Sequence, residues 1–247
     1  MIATKLSICV FCGSRNGNDN AFTEVAKRTG AIIAKHNWRL VYGAGDVGLM
    51  GAIAKSCQEN GGTTFGVIPK FLLEKEVGKV DLSTFVITEN MHERKKIMFT
   101  NSDVIITLPG GIGSLDEFFE LLTWTQLEVS KKPLYILNIN GYWDPLIALI
   151  DHVIKQEFAD NDLLNSFKTI NSVDDLENDL LDEMQHWIDK KTLRNTRHRR
   201  MLQTEWERAV RGGKADSTMT FSDLHSFETA IASLEHQTQH ILSLIHI

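Results

Sequence analysis

Six short apolar runs punctuate the first 140 residues and leave this chain few folds to choose from: Leu6–Phe11, Arg39–Tyr42, Thr63–Ile68, Phe85–Thr88, Val104–Leu108 and Leu134–Leu137. Most are nearly continuous in Val, Ile, Leu and Phe rather than alternating with polar residues. Such strands are buried on both faces, as in a parallel sheet. Helical stretches stand between them. In Ala21–His36 the apolar residues Phe22, Val25, Ala26, Ile32 and Ile33 recur near helical spacing. Further helices are expected over Gly48–Glu59, Asn90–Asn101, Ser114 to about Glu128, Trp143–Gln156, and from Asp174 onward. Pro69 stops the third strand, and a charged loop, Lys70–Asp81, follows it. Strand–helix alternation of this kind predicts an α/β fold: a doubly wound, Rossmann-like, mostly parallel sheet flanked by helices.

Charge divides the chain in two. Residues 1–188 hold 17 Lys and Arg against 25 Asp and Glu, whereas residues 189–247 hold nine against seven, and the whole carries −6. The expected organisation is therefore an α/β domain over 1–188 and a basic C-terminal appendage over 189–247. Leu242–Ile247 also resembles the in-frame translation of a transposase sequencing adapter, so no function is assigned to it. No apolar run approaches the ~20 residues of a membrane span. The apolar run near Met1 lacks a cleavage region, so a signal peptide is not expected. Three cysteines in 247 residues argue against a disulfide framework and for a reducing cytoplasm. Net acidity disfavours a general nucleic-acid binder.

In a doubly wound sheet, ligands bind outside the carboxyl ends of the strands. Three glycine-bearing turns follow strands here: Gly13-Ser14, Gly43 to Gly48, and Pro109 to Ser114. Glycine lets backbone approach a ligand closely, and amides at a helix start attract phosphate. Together they point to a phosphorylated ligand. Gly43, Gly45 and Gly48 also fit the G-x-G-x-x-G dinucleotide fingerprint. Against that reading, the turn follows the second strand, and the next strand ends in Pro69 instead of a ribose-binding carboxylate.

The sharpest constellation is Met91-His-Glu-Arg-Lys95 followed, one strand later, by Pro109-Gly-Gly-Ile-Gly-Ser-Leu-Asp-Glu117. Arg94 and Lys95 near a helix start oppose the helix dipole, a conflict that an anionic ligand relieves. Glu117 follows Ser114 by three residues, the spacing of a capping box. Beside an Arg-Lys pair and a phosphate-loving turn, a catalytic carboxylate is the stronger reading.

These residues resemble the Lonely Guy family, whose motifs are P-G-G-x-G-T-x-x-E and M-x-x-R-K. Gly43–Gly51 is similar to the family's G-G-G-x-x-G-L-M-G, and Cys12-Gly-Ser14 to its first-strand turn. The match spans residues 1–188, with Ser114 in place of Thr and Ala44 in place of Gly. The resemblance implies a phosphoribohydrolase that splits the N-glycosidic bond of cytokinin riboside 5′-monophosphates, or AMP, into free base and ribose 5-phosphate. It implies Arg94 and Glu117 as the catalytic pair. Further substrate contacts would come from Glu76, Lys95, Gly110, Gly111, Ile112, Gly113, Ser114, Leu115, Asp116 and Thr123, with Gly13, Ser14, Gly45 and Gly48 from the other turns. It implies a homodimer, which the apolar density of Leu121, Leu122, Trp124 and Leu127 also suits. No metal or cofactor is expected.

The same residues admit other readings. A non-catalytic nucleotide- or molybdenum-cofactor-binding module on this fold would need the glycine turns but not the Arg94–Glu117 pair. Lysine decarboxylation, a label attached to this family, needs a Schiff-base lysine with partners for pyridoxal phosphate, and Lys95 stands without such a set. Cys9 and Cys12 form a C-x-x-C, yet Cys9 sits inside an apolar strand and reads as core. Cys57 reads as core as well. His92, close to Arg94, reads equally as a ligand contact or as a surface residue; His36, His152, His186, His236 and His240 lack metal-ligand patterns; Arg194–Arg200 reads as a solvated charged face.

Overall fold

The computed structural model describes residues 6–73 and 78–185. Seven strands form one sheet: β1 (Ser7–Phe11), β2 (Arg39–Tyr42), β3 (Thr63–Pro69), β4 (Thr84–Thr88), β5 (Val104–Thr107), β6 (Leu134–Leu137) and β7 (Lys168–Ile170). Their order is β4-β3-β2-β1-β5-β6-β7, and every neighbouring pair is parallel. The helices are α1 (Asn20–Lys35), α2 (Gly48–Glu59), the single turn α3 (Lys70–Leu73), α4 (Met91–Thr100), α5 (Ile112–Gln126) and α6 (Asp144–Lys155), and residues 173–185 are also helical. This is the doubly wound architecture the apolar runs predict.

Period-2 geometry sends alternate residues of each buried strand to opposite faces. Cys9, Phe11, Val41, Val67, Ile105 and Ile136 join Met98, Phe118, Leu121, Leu122, Leu146 and Ile150 in one hydrophobic cluster beneath α4, α5 and α6. Ile8, Leu40 and Tyr42 are fully buried with Ile33, Leu49 and Ile53 of α1 and α2. Those two helices meet at Gly30, where a Cβ would collide with the Ile53 carbonyl. All three cysteines are free and buried. Burial pushes the Cys9 and Cys12 thiols far up, which agrees with their reading as core.

Several boundaries differ from the sequence expectation. The charged loop after Pro69 opens with α3, and β7 was not anticipated. Lys168-Thr-Ile170 is short, largely exposed edge structure, without the apolar run that marks a buried strand. α5 begins two residues earlier than expected, with Gly111 as its N-cap. That shift matters for the site. The described chain through Leu180 is one compact unit, and the basic appendage over 189–247 lies outside the described residues. Among the described residues, no helix is long and apolar enough to cross a membrane.

Candidate active site

Strand order reverses between β1 and β5, and at such a switch point the loops leaving the two strands diverge and open a crevice. Here those loops carry Gly13-Ser14 and Pro109–Gly111. Gly13 N–H donates to the Pro109 carbonyl at 3.0 Å, which ties the loops together at their base. Above this tie the crevice has two lobes, and Gly13, Ser14, Gly111 and Ile112 belong to both. The inner lobe, about 290 Å³, is lined by Gly43, Met50, Leu72, Met91, Arg94, Met98, Gly113, Ser114 and Glu117 among others. The outer lobe, about 700 Å³, is bounded by Arg15, Asn16, Asn18, Phe22 and Tyr142.

The start of α5 forms the floor between the lobes. Its N-cap, Gly111, has no side chain to cover the first-turn amides. Leu115 N–H finds a helical acceptor in the Gly111 carbonyl, at 3.1 Å. The amides before it, and the Ser114 hydroxyl, are bonded to no other described residue. Orphan donors at the positive end of a helix dipole are suited to phosphate. Because Gly111 is the N-cap, Ser114 stands within the helix. Glu117 is therefore not the carboxylate of a capping box.

Arg94 is held from below. Its Nε donates to the Val67 carbonyl and its Nη2 to the Gly43 carbonyl, each at 3.2 Å, so the ends of β2 and β3 fix the guanidinium. Nη1 lies 3.9 Å from Glu117 Oε1. Both residues are only 8% exposed. Burial raises the Glu117 pKa to about 7, opposed by Arg94, raised further by Asp116, lowered by Lys95 and raised by Glu120. A carboxyl that ionises near neutrality suits proton transfer in either direction.

The Gly43–Gly48 turn packs beneath the site, with its amides and glycines engaged by neighbouring backbone. Leu49 and Met50 amides, at the start of α2, both donate to the Gly13 carbonyl, at 3.0 and 3.3 Å. Gly48 has φ +62° and packs against Ser14, where a Cβ would overlap backbone. Gly45 pairs with Gly78 in an isolated antiparallel bridge, and Ala44 takes φ +56° where the family motif has glycine. Gly45 and Gly48 thus fall outside the cavity, contrary to expectation, and the dinucleotide reading loses its phosphate cradle. Gly43 is different, since a Cβ there would strike the Arg94 guanidinium.

Of the other expected contacts, Gly13, Ser14, Gly111, Ile112, Gly113 and Ser114 line the inner lobe, and Gly110 the outer. Lys95, Leu115, Asp116 and Thr123 line neither. The Lys95 ammonium is turned instead to Asp116 and Glu120, and Thr123 is exposed on α5. Glu76 lies outside the described residues, as do His186, Arg194–Arg200, His236 and His240. His92 is exposed and lines neither lobe, which favours the surface reading of its two. Sequence reasoning missed Arg15, Asn16 and Asn18, although adjacency to the Gly13-Ser14 turn was a usable signal. It also missed Tyr142, whose hydroxyl reaches the Gly110 carbonyl at 2.6 Å. That contact is tertiary and leaves no local pattern.

Fold and site together define a Rossmann-like protein with an uncapped helix start and a buried guanidinium–carboxylate pair at the switch point. The family model described as "Possible lysine decarboxylase" matches residues 50–180. Among curated proteins, rice "Probable cytokinin riboside 5′-monophosphate phosphoribohydrolase LOGL1" is 43% identical over 155 residues, 63% of this chain and 70% of that protein. The cytokinin riboside 5′-monophosphate phosphoribohydrolase of Rhodococcoides fascians is 40% identical over 156 residues, 63% of this chain and 79% of that one. The chain belongs to this family, the Lonely Guy family. Among solved structures, the molybdenum cofactor carrier protein of Chlamydomonas reinhardtii superposes with TM-score 0.56 at 20% identity, covering 74% of this chain and 99% of that one. The molybdenum cofactor binding protein of Rippkaea orientalis gives 0.53 at 22%, covering 75% and 99%. At such identities these likenesses concern the fold.

Proposed function

We propose that the chain hydrolyses the N-glycosidic bond of nucleoside 5′-monophosphates, cytokinin riboside 5′-monophosphates or AMP, to free base and ribose 5-phosphate. The observation that carries this reading is the buried Arg94–Glu117 pair facing a cavity whose adjoining wall is the amide cradle of α5. The 5′-phosphate sits on the cradle with the Ser114 hydroxyl. Ribose then lies against Arg94 and Glu117. As the C1′–N bond breaks, the bonding pair leaves with the base and positive charge grows on the sugar. The Glu117 carboxylate stabilises that charge. Water oxygen bonds to C1′, Glu117 accepts the water proton, and Glu117 passes that proton on to the base nitrogen that left with the bonding pair. Arg94 contributes charge-assisted hydrogen bonds to the nucleotide. Phosphate binding remote from C1′ accelerates the reaction by positioning, so nucleosides lacking the phosphate react poorly.

A pyridoxal-dependent decarboxylase is disfavoured, because Lys95 is committed to two carboxylates. A carrier role needs the cradle but has no use for a buried, strained-in-charge Glu117. The chain also acts as a homodimer in this reading. Phe119, Leu127 and Val129 expose apolar surface on and just beyond α5, and sedimentation should give twice the 27.9 kDa chain mass. The deciding assay follows release of base from AMP, GMP, CMP and isopentenyladenosine monophosphate. Base released from at least one of them supports hydrolysis, and none from any would overturn it.

A further inference from the structure

The outer lobe holds a side chain that the proposed reaction leaves idle. Tyr142 stands between β6 and α6, 39% exposed, and lines that lobe with Phe22. Its hydroxyl donates to the Gly110 carbonyl at 2.6 Å. Its ring is seated independently of that bond, edge-on to Phe22 at 5.2 Å and to Trp143 at 4.8 Å. Ring and hydroxyl can therefore be separated by substitution.

Three successive carbonyls lead into α5, and each has a different holder. Pro109 accepts from Gly13 N–H at 3.0 Å, which fixes it to the turn after β1. Gly111 accepts from Leu115 N–H at 3.1 Å, which fixes it to the helix. Gly110, between them, accepts from Tyr142 and from no other described residue. The peptide group that carries this carbonyl joins two glycines, so no Cβ on either side restricts its rotation. It is the link in the turn most free to flip, and one hydroxyl holds it.

That peptide also carries the Gly111 N–H. In a planar trans peptide the carbonyl and the N–H point in opposite directions, and among the described residues no peptide is cis. Drawing the carbonyl toward Tyr142 therefore turns the Gly111 N–H away from Tyr142. This N–H meets no acceptor among the described residues. The Ser114 side chain packs against Gly110, lines the inner lobe, is only 4% exposed and is bonded to no described residue. Two unpartnered donors thus stand together at the positive end of α5.

We propose that Tyr142 is a positioning residue: its hydroxyl locks the Gly110–Gly111 peptide so that the Gly111 N–H is presented with Ser114 to an anion, and it does not itself touch that anion. The inference rests on the hydrolase reading in taking the anion to be a phosphate monoester. A donor locked before binding raises affinity because its ordering cost is already met.

Tyr142→Phe keeps both ring contacts and deletes the bond. In the isotope-labelled full chain without phosphate, the Gly111 amide signal should move while that of Gly13, tied to Pro109, stays. Titration with inorganic phosphate should give a Kd about 3- to 10-fold weaker than wild type, the scale of one net hydrogen bond. KM for a monophosphate that the wild type cleaves should rise by the same factor, with kcat within about twofold, as for uniform binding lost. An unchanged phosphate Kd overturns the proposal, as does a wild type that binds no phosphate at Gly111. A weaker Kd with the Gly111 signal unmoved overturns it too, since the hydroxyl would then be a direct ligand. Movement of Gly13 together with Gly111 would mean general loosening of the loops and also sinks it. If the wild type binds phosphate at Gly111 but releases no base, the hydrolase reading fails while the phosphate titration still decides the role of Tyr142.

Discussion

Glu117 concentrates what a single residue contributes here. Its carboxyl is buried, and that burial outweighs the opposing pull of Arg94 and Lys95, which is why its pKa rises to about 7 from an ordinary 4.5. Two consequences have opposite signs. The charged form stabilises the sugar cation, so kcat/KM should climb as pH rises toward about 7 and level off above it. The folded protein, however, holds this proton more tightly than the unfolded chain, so stability falls as pH rises through the window between 4.5 and about 7. Glu117→Gln removes both effects. Base release should drop at least ~100-fold, the scale of one acid–base group. At pH 8, Tm should increase by about 2–4 °C for each kcal/mol of relieved burial, with no gain near pH 4. A variant equally active, or destabilised at pH 8, would contradict this account. Glu117 was legible in the sequence only as one of two readings, cap or catalyst. What separated them was the start of α5 at Ile112, a boundary that local pattern places only within a few residues. Arg94 was legible as a cation near a helix start. That two carbonyls of distant strands hold it was not, because those contacts are 27 and 51 residues away in sequence.

Between elements, close approach decides function as much as side-chain chemistry does. Gly43 ends β2 where Arg94 arrives from α4, and any Cβ there enters the space of the guanidinium. Gly43→Ala should therefore expel Arg94 from its carbonyl seat. Overpacking of this kind costs roughly 1–3 kcal/mol, which a urea melt would register, and base release should fall on the same ~100-fold scale as loss of a catalytic group. Wild-type turnover in that variant would show that the Gly43 carbonyl does not seat Arg94. The glycines of this turn were visible in the sequence, yet their pattern suggested phosphate binding. The contacts they make here, leaving room for Arg94, meeting Ser14 and pairing with Gly78, depend on neighbours far along the chain. Strands β1 to β3, β5 and β6 were legible because burial on both faces demands unbroken apolar runs. β7 was not, since an exposed edge strand of three residues makes no such demand.

For the molecule as a whole, one topological fact places the site: β1 is flanked by β2 on one side and β5 on the other, so chain direction across the sheet reverses there. Every cavity-lining residue belongs to the unit that ends at Leu180. All seven strands do too. Nothing that binds phosphate, orients Arg94 or buries Glu117 in this account is drawn from the basic residues after 188. A chain ending at residue 188 should therefore fold and release base with kcat/KM within about twofold of the full chain, far less than the ~10-fold that 1.4 kcal/mol of lost transition-state stabilisation would produce. The sequence alone already suggested this division through its change of charge, but could not say on which side the chemistry lay complete. Parallel assays of the two lengths measure it directly. A large loss in KM on truncation would assign the appendage a part in nucleotide capture, and a loss in kcat alone would assign it a part in holding α4 and α5.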